Sequence, residues 1–438
     1  MEDTIFAPAT PFGGAIAIVR ISGGETRRIV RELFSRELTH GRMTHGALGL
    51  DEPLDDCMAV FFRAPASYTG EDMAEFYLHG SPAVGQACME LLSRCGARAA
   101  EPGEFTKRAF VNGKLKLAEA EAVMDLVQAK SQLSAREALL QLSGAVGRET
   151  ADIEEALTVA LAGVSAAMDY PDELEEDVFS ALPQLLRECY DRLCALKEAG
   201  MRRRVLREGA RVVIVGRPNA GKSSLLNALT GADLAIVTEV AGTTRDTIEE
   251  QTVMRGVPVR LVDTAGIRRS EDSVERLGVE RAMREALRAD VLLVAIDACR
   301  PWDEGYAELL ELSPDAAKLA VLCKCDLERA LDAADVTART GLRCLCVSAL
   351  TGEGLDELRR AVAELVTPAG SDVHITNMRH IEAVAAAAAC LEGSWGQRDW
   401  DCVATDMREA LRELARISGR EVDASVIDAI FSRFCVGK

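Results

Sequence analysis

The sequence predicts a multi-domain α/β protein: an N-terminal α+β domain, a helical domain, and a parallel-sheet domain flanked by helices and inserted into the helical one. Three observations lead there. Between about Glu208 and Thr367, short β-runs alternate with helical segments, the pattern of a parallel sheet covered by helices. On both sides of that region apolar residues recur at helical spacing. Before it, residues 1 to about 115 mix short β-rich runs with Gly/Pro turns. A chain of 438 residues has room for about three such domains.

Taken in order, residues 1–116 contain the β-runs Ala15–Ile21, Met58–Phe62 and Ala74–Leu78. Residues 117–207 form the first helical part, with one periodic stretch through Ala122, Leu126, Leu133, Leu139 and Leu142. A second runs through Ile153, Leu157, Leu161 and Val164 to Tyr170. Pro171 is expected to stop that helix, followed by an acidic loop from Asp172 to Asp177 and a helix from about Leu182 to Leu206. Residues 208–368 hold the runs Arg211–Val215, Arg260–Val262, Val291–Ile296, Ala320–Leu322 and Cys344–Val347; residues 369–438 are helical again. Helical sequence on both flanks suggests insertion into one domain, since chain ends of a domain often lie close together; two separate helical domains is the competing reading.

Composition narrows the function classes. Lys plus Arg is 51 against 70 Asp plus Glu, a net charge of −19, which excludes a surface that grips nucleic acid throughout. The densest basic cluster, Met201-Arg202-Arg203-Arg204 with Arg207, reads as a solvated helix face beside a hinge. Apolar residues reach 48% but aromatics only 4%, so Ala and Leu carry the cores, favouring helices and excluding dominant disorder. The longest apolar stretch, Ala383 to Leu391, is far short of a membrane span, and Glu2 and Asp3 do not begin a targeting segment. Thirteen cysteines without a CxxC pair read as reduced thiols in a cytoplasmic protein, not as disulfides or a zinc site.

The chemistry is concentrated in the inserted domain. Gly216-Arg217-Pro218-Asn219-Ala220-Gly221-Lys222-Ser223 fits GxxxxGK[ST], after a strand and before the helical run that opens at Ser224. Such a loop turns its N–H groups onto phosphates, with Lys222 reaching the β- and γ-phosphates and Ser223 ligating Mg²⁺. Three later segments follow in the order a GTPase needs. Gly242-Thr243-Thr244 brings a second Mg²⁺ hydroxyl in Thr244, Asp263-Thr264-Ala265-Gly266 ends a strand beside the γ-phosphate, and Ser348-Ala349-Leu350 backs the base. The base-reading segment is Cys323-Lys324-Cys325-Asp326, where GTPases usually carry Asn-Lys-x-Asp. Asp326 accepts from guanine N1 and the exocyclic amine, whereas Cys323 poorly replaces an amide at N7. Ile267 stands where Ras-like proteins orient water with Gln, so the transition-state charge needs another partner. A monovalent cation held by Asn219 and by Thr238-Glu239-Val240-Ala241-Gly242-Thr243 is one solution.

GRPNAGKSSLLNAL, TEVAGTTRD, DTAGIR, GVERA and the terminal Phe434-Cys435-Val436-Gly437-Lys438 resemble the MnmE (TrmE) family of tRNA modification GTPases. Ile18-Val19-Arg20-Ile21-Ser22-Gly23, Ser67-Tyr68-Thr69-Gly70-Glu71-Asp72 and the segment from Pro102 to Lys114 extend the resemblance over nearly the whole chain. The resemblance implies a folate-binding N-terminal domain that forms a homodimer, and an FAD-dependent partner (MnmG/GidA) joined in a heterotetramer or larger complex. It further implies transfer of a one-carbon unit from a tetrahydrofolate (5-formyl- or methylene-) to carbon 5 of the wobble uridine of tRNA, and K⁺-dependent GTP hydrolysis. Carried over by motif, K⁺ falls on Asn219, Thr238, Val240 and Thr243, Mg²⁺ on Ser223 and Thr244, and the water-orienting acid on Glu280. Folate contacts fall on Arg20, Glu75, Lys114 and Lys438; Lys222 and Glu280 are the catalytic candidates for hydrolysis, and Cys435 is the candidate for the modification chemistry. The turn Pro11–Ala17 is shorter than the family's, so contacts there are expected to differ. A ribosome-assembly GTPase is the alternative; it calls for an aromatic-basic RNA module that this sequence lacks.

Overall fold

A computed structural model describes residues 3–169, 171–231, 249–263, 285–367, 373–397 and 399–437. The chain forms two compact units, one of Met1–Met124, Leu142–Gly147 and Arg412–Lys438, the other of Asp125–Gln141 and Arg148–Leu411. Together they make a multi-domain α/β architecture, as the alternation of β-runs and helices predicts.

The first unit is built on a six-stranded sheet: β1 (Ile5–Pro8), β2 (Ile16–Ser22), β3 (Thr44–Gly49), β4 (Pro53–Phe62), β5 (Met73–His79) and β6 (Arg98–Ala99), in the order β3-β4-β5-β2-β1-β6. All pairs are antiparallel except β1 with β6. The runs read from sequence are β2, β4 and β5. The other three carry too little alternation to be seen: β1 has four residues, β6 two, and β3 reads Thr-His-Gly-Ala-Leu-Gly. Val19, Ile21, Phe76 and Leu78 are buried with Ile29, Leu33 and Leu92 of the helices Thr26–Leu33 and Pro82–Arg94.

A fully buried arginine organises the edge of this unit. Arg108, in the helix Glu104–Val111, reaches Asp3 Oδ1 and Glu104 Oε1 at 2.9 Å each and Glu71 Oε2 at 3.1 Å. The C-terminal helix Ala424–Phe431 packs into the same unit, with Phe431 and Phe434 buried against Leu117 and Met124.

The second unit contains a six-stranded sheet: β7 (Ala210–Gly216), β8 (Glu249–Met254), β9 (Val257–Asp263), β10 (Val291–Asp297), β11 (Ala317–Cys323) and β12 (Cys344–Val347). The order is β12-β11-β10-β7-β9-β8, parallel except for β8 against β9. From β7 the chain builds toward β9 on one side and toward β10 on the other. Strand order therefore reverses at the end of β7, where such sheets bind ligands. The helix Met378–Leu391, after the sheet, packs along the helix Pro171–Arg203, before it.

Three sequence expectations need correction. The segment from Asp172 to Asp177 is not a loop: helix runs from Pro171 to Arg203. Proline suits a first helical position, where its missing N–H has no helical acceptor, and acidic residues there run with the helix dipole. The periodic stretch from Ala122 to Leu142 is two helices, Leu117–Gln128 and Gln132–Leu142, divided where the Ser131 hydroxyl accepts from the Ser134 N–H at 3.1 Å. The arginine cluster is a solvated face only in part: Met201, Arg202 and Arg207 are exposed, while Arg203 and Arg204 are half-buried. Arg203 pairs with buried Glu137 at 2.6 Å, Arg204 with Asp290 at 2.6 Å and Arg207 with Asp125 at 2.7 Å. Glu137 also accepts from His374 Nδ1 at 3.0 Å, so one carboxylate holds both the segment entering the sheet region and the segment leaving it.

Removing one partner of a buried ion pair strands the others without counter-charge and costs about 3–5 kcal/mol. Arg108→Ala should therefore lower the urea midpoint of the first unit strongly, and Arg108→Lys should recover little, because one ammonium cannot meet three carboxylates in fixed directions. A wild-type midpoint in Arg108→Ala would refute this account of the cluster.

Candidate functional site

The loop after β7 and the carboxyl ends of β11 and β12 line a cleft of roughly 210 Å³, with Gly221, Ser224, Cys323, Lys324, Asp326, Ala349 and Leu350 among its walls. Segments distant in sequence thus meet in one place: the glycine-rich loop, the base-reading segment and the Ser348-Ala349-Leu350 loop.

The glycine-rich loop follows directly from its strand. A Cβ on Gly216 would lie 2.4 Å from the Ala295 carbonyl oxygen of β10, so only glycine lets β7 end this close to its neighbour. Asn219 holds left-handed backbone (φ 64°), as does Gly221 (φ 96°), and the helix Lys222–Thr230 begins at once. Ala220 is buried in the core below, while Ser223 and Ser224 are exposed in the first helical turn. The Lys222 ammonium donates to the carbonyls of Gly216 and Arg217 at 2.9 Å each, which places its charge at the mouth of the loop. The Asp263 backbone ends β9 beside Ile214 of β7, next to that loop.

On the base side, Asp326 is exposed toward the cleft. Ser348 is fully buried; its N–H donates to the Glu353 carbonyl at 3.0 Å and its hydroxyl accepts from the Thr351 N–H at 3.1 Å, which fixes the loop carrying Ala349 and Leu350. Leu350 itself is 85% exposed, an apolar surface at the rim. Cys323 is buried, its thiol pushed up to about 12 by burial and donating to the Val321 carbonyl at 3.6 Å. The group is thus a neutral thiol whose single proton points into the protein.

Sequence reading missed Asp297. It ends β10, and its Oδ2 lies 2.7 Å from Lys324 Nζ. Burial opposes ionisation of this carboxyl, but bonds from Lys324 and from the Cys299 N–H outweigh it and hold the group below the usual carboxylate range. A carboxylate at the carboxyl end of a parallel strand was the available signal.

A second constellation occupies the first unit. Arg20 on β2 and Glu75 on β5 are directly opposite across the antiparallel pair, with Arg20 Nη2 and Nε at 2.7 and 2.9 Å from Glu75 Oε1. Tyr77, two residues along the same face of β5, donates its hydroxyl to Glu75 Oε2 at 2.9 Å. The guanidinium lies 5.7 Å from the ring centres of both Tyr68 and Phe105. Tyr68 and Phe105 lie in segments that carry the resemblance but were given no site role from sequence, and Tyr77, legible at the i+2 position from Glu75, was not singled out. The chain's end comes to the same place: Arg20 Nη1 donates to the Gly437 carbonyl at 3.1 Å. Gly437 has φ 96°, and a Cβ there would lie 2.1 Å from the Pro8 carbonyl oxygen, so the seat of the tail requires glycine. Cys435 is exposed, and its carbonyl accepts from the Gly103 N–H at 3.4 Å. Lys114 is exposed and donates to the Pro65 carbonyl at 3.0 Å; it makes no recorded contact with Arg20 or Glu75. Thr238, Glu239, Val240, Ala241, Gly242, Thr243, Thr244, Thr264, Ala265, Gly266, Glu280 and Lys438 lie outside the described residues.

Residues 117–435 match the MnmE helical domain and residues 4–114 the GTP-binding protein TrmE N-terminus. The tRNA modification GTPase MnmE of Thermotoga petrophila is 39% identical over 456 aligned positions that cover 100% of both chains. That of Synechococcus sp. (strain JA-3-3Ab) is 40% identical over 455 positions, covering 100% of this chain and 99% of the relative. Similarity at this level across the full length excludes a likeness confined to the nucleotide-binding domain.

The cleft geometry separates two residues by their expected effect. A hydrogen bond to a charged group contributes about 1.5–3 kcal/mol, so Asp326→Asn should weaken guanine nucleotides at least tenfold against adenine nucleotides. Cys323→Asn, which supplies an amide donor, should tighten GDP without changing that preference. Competition binding with GDP and ADP measures both; undiminished selectivity in Asp326→Asn contradicts the base-side reading.

Proposed function

The chain belongs to the MnmE family of tRNA modification GTPases, and from that premise we propose how its own residues serve GTP hydrolysis and tRNA modification. The protein works in the cytoplasm as a homodimer. It pairs with an FAD-dependent partner, MnmG, to install aminomethyl or carboxymethylaminomethyl groups at carbon 5 of the wobble uridine of tRNA. Its domains divide at about residues 116, 207 and 368.

The single observation that supports the nucleotide reading is the cleft in which Gly221, Lys324, Asp326 and Ala349 converge. Lys222 and the N–H groups of the helix it opens hold the phosphates, and Asp326 selects guanine. Ser223 and Thr244 supply hard oxygen donors suited to Mg²⁺, which neutralises charge on the β- and γ-phosphates when bound. The exposed Asn219, with Thr238, Val240 and Thr243, supplies an all-oxygen set suited to K⁺. That ion would bring positive charge near the γ-phosphate, where Ile267 offers none. Glu280 orients the attacking water.

The Arg20–Glu75 pair supports the folate reading. A carboxylate held rigid by Arg20 and Tyr77 keeps acceptor capacity for the amide-like edge of a pterin. Tyr68 and Phe105 offer flat apolar surface beside it. Lys114 and Lys438 suit the carboxylates of a glutamate tail. A tetrahydrofolate supplies the one-carbon unit when bound. Cys435 is carried to this neighbourhood by the seated tail, exposed and within two residues of the Gly437 carbonyl that Arg20 holds.

Two measurements test the proposal. GTP turnover should be fast in KCl and slow in NaCl at equal ionic strength, and equal rates would remove the cation from the mechanism. Glu75→Ala and Cys435→Ser should both keep GTP turnover while modified wobble uridine disappears from cellular tRNA, read by nucleoside mass spectrometry. Normal modification in either variant refutes the role given to that residue.

A further inference from the structure

One hydrogen bond in the nucleotide cleft joins two non-glycine residues that both hold left-handed backbone. Asn219 in the phosphate loop has φ 64° and Lys324 in the base-reading segment has φ 63°. The Lys324 ammonium donates to the Asn219 carbonyl at 2.8 Å. Lysine rarely adopts this conformation, and such residues persist where their surroundings over-determine them.

Asp297 is the surrounding group that does so. It is 5% exposed, ends β10 directly beside Cys323 of β11, and its Oδ2 lies 2.7 Å from Lys324 Nζ. Its other oxygen accepts from the Cys299 N–H at 3.0 Å, which fixes the carboxylate plane. Arg300 Nε is 3.8 Å from Oδ2, but that side chain is 70% exposed and beyond hydrogen-bond distance. A buried carboxylate without counter-charge is strongly disfavoured, so Asp297 draws the Lys324 ammonium inward and keeps it over the phosphate loop.

We infer that Asp297 is a positioning residue for guanine-nucleotide binding: its carboxylate aims Lys324 at the Asn219 carbonyl and so ties the base-reading segment to the phosphate loop. The inference rests on the nucleotide reading of the cleft. Asp326 is two residues beyond Lys324, and Asn219 is three residues before Lys222. The bridge therefore makes the base-selecting and phosphate-holding segments one preorganised body, and less order has to be imposed when nucleotide binds.

A double-mutant cycle on the full chain tests this, with fluorescent GDP as the probe and thermal unfolding of each variant alongside. Lys324→Gln and Asp297→Asn should each weaken GDP about tenfold, the size expected for loss of a charge-assisted bond. Because Asp297 acts through Lys324, the double variant should bind no more weakly than Lys324→Gln alone. A merely structural role for Asp297 makes the two losses multiply, and that result overturns the inference, as does wild-type affinity in Asp297→Asn. Wild-type affinity in Lys324→Gln overturns the bridge, whereas failure of the unaltered chain to bind GDP overturns the nucleotide reading itself. If Asp297→Asn does not fold, Asp297→Thr, which keeps an acceptor for Cys299 but no charge, runs the same cycle.

Discussion

The reversal of strand order at β7 is the constraint on which the nucleotide site depends. β7 lies between β9 and β10, and the order reverses there, which is where such sheets bind ligands. The helix Lys222–Thr230 starts there, with its N-terminal end at the cleft that Gly221 and Ser224 line. Every other contribution arrives by parallel pairing: β9 brings the Asp263 backbone beside Ile214, β10 brings Asp297, β11 brings Cys323 to Asp326, and β12 brings Ser348 to Leu350. Parallel strands place like ends together, which is why residues widely spaced in sequence share one edge.

The first unit solves a different problem. Its sheet is mostly antiparallel, and its chemistry lies on a sheet face, where cross-strand neighbours pair. Arg20 and Glu75 are such neighbours, held among Tyr68, Tyr77 and Phe105. The tail ends on the same arginine, anchored upstream by Phe431 and Phe434 in an apolar cluster. Arg108, with Asp3, Glu71 and Glu104, ties the beginning of the chain, the loop before β5 and the helix Glu104–Val111 into a fixed frame for that face.

Where the chain departs from GTPase custom, physical environment decides the consequence. Cys323 occupies the position of a usual Asn, and burial keeps it a neutral thiol bonded to the Val321 carbonyl. It fills space under Gly221, with its Cβ 3.5 Å from where a Cβ on that glycine would stand. Cys323 therefore fills the space below Gly221 but offers no amide donor toward the base. The arginines Arg203, Arg204 and Arg207 show the reverse: residues that look like an ionic surface are consumed by carboxylates within their own unit, consistent with a net charge of −19.

Local signals were sufficient for much of this protein. The strand–GxxxxGK[ST]–helix succession, five of the six strands of the inserted sheet (all but the antiparallel β8) and the motifs from Arg20 to Gly437 were legible because each is written in contiguous residues with a short-range physical meaning. What was not legible depends on partners distant in the chain. β1, β3 and β6 are too short or glycine-rich to show alternation, and only pairing makes them strands. Pro171 reads as a stop until the backbone after it is seen to be its own helix. Asp297, Tyr77 and the seat of Gly437 acquire meaning only when the fold brings them to Lys324, Glu75 and Arg20. Sequence determined which chemical groups are present and in what order. Tertiary structure decided which carboxylate faces which cation, because that depends on sheet register and on burial, and neither is a local property of the chain.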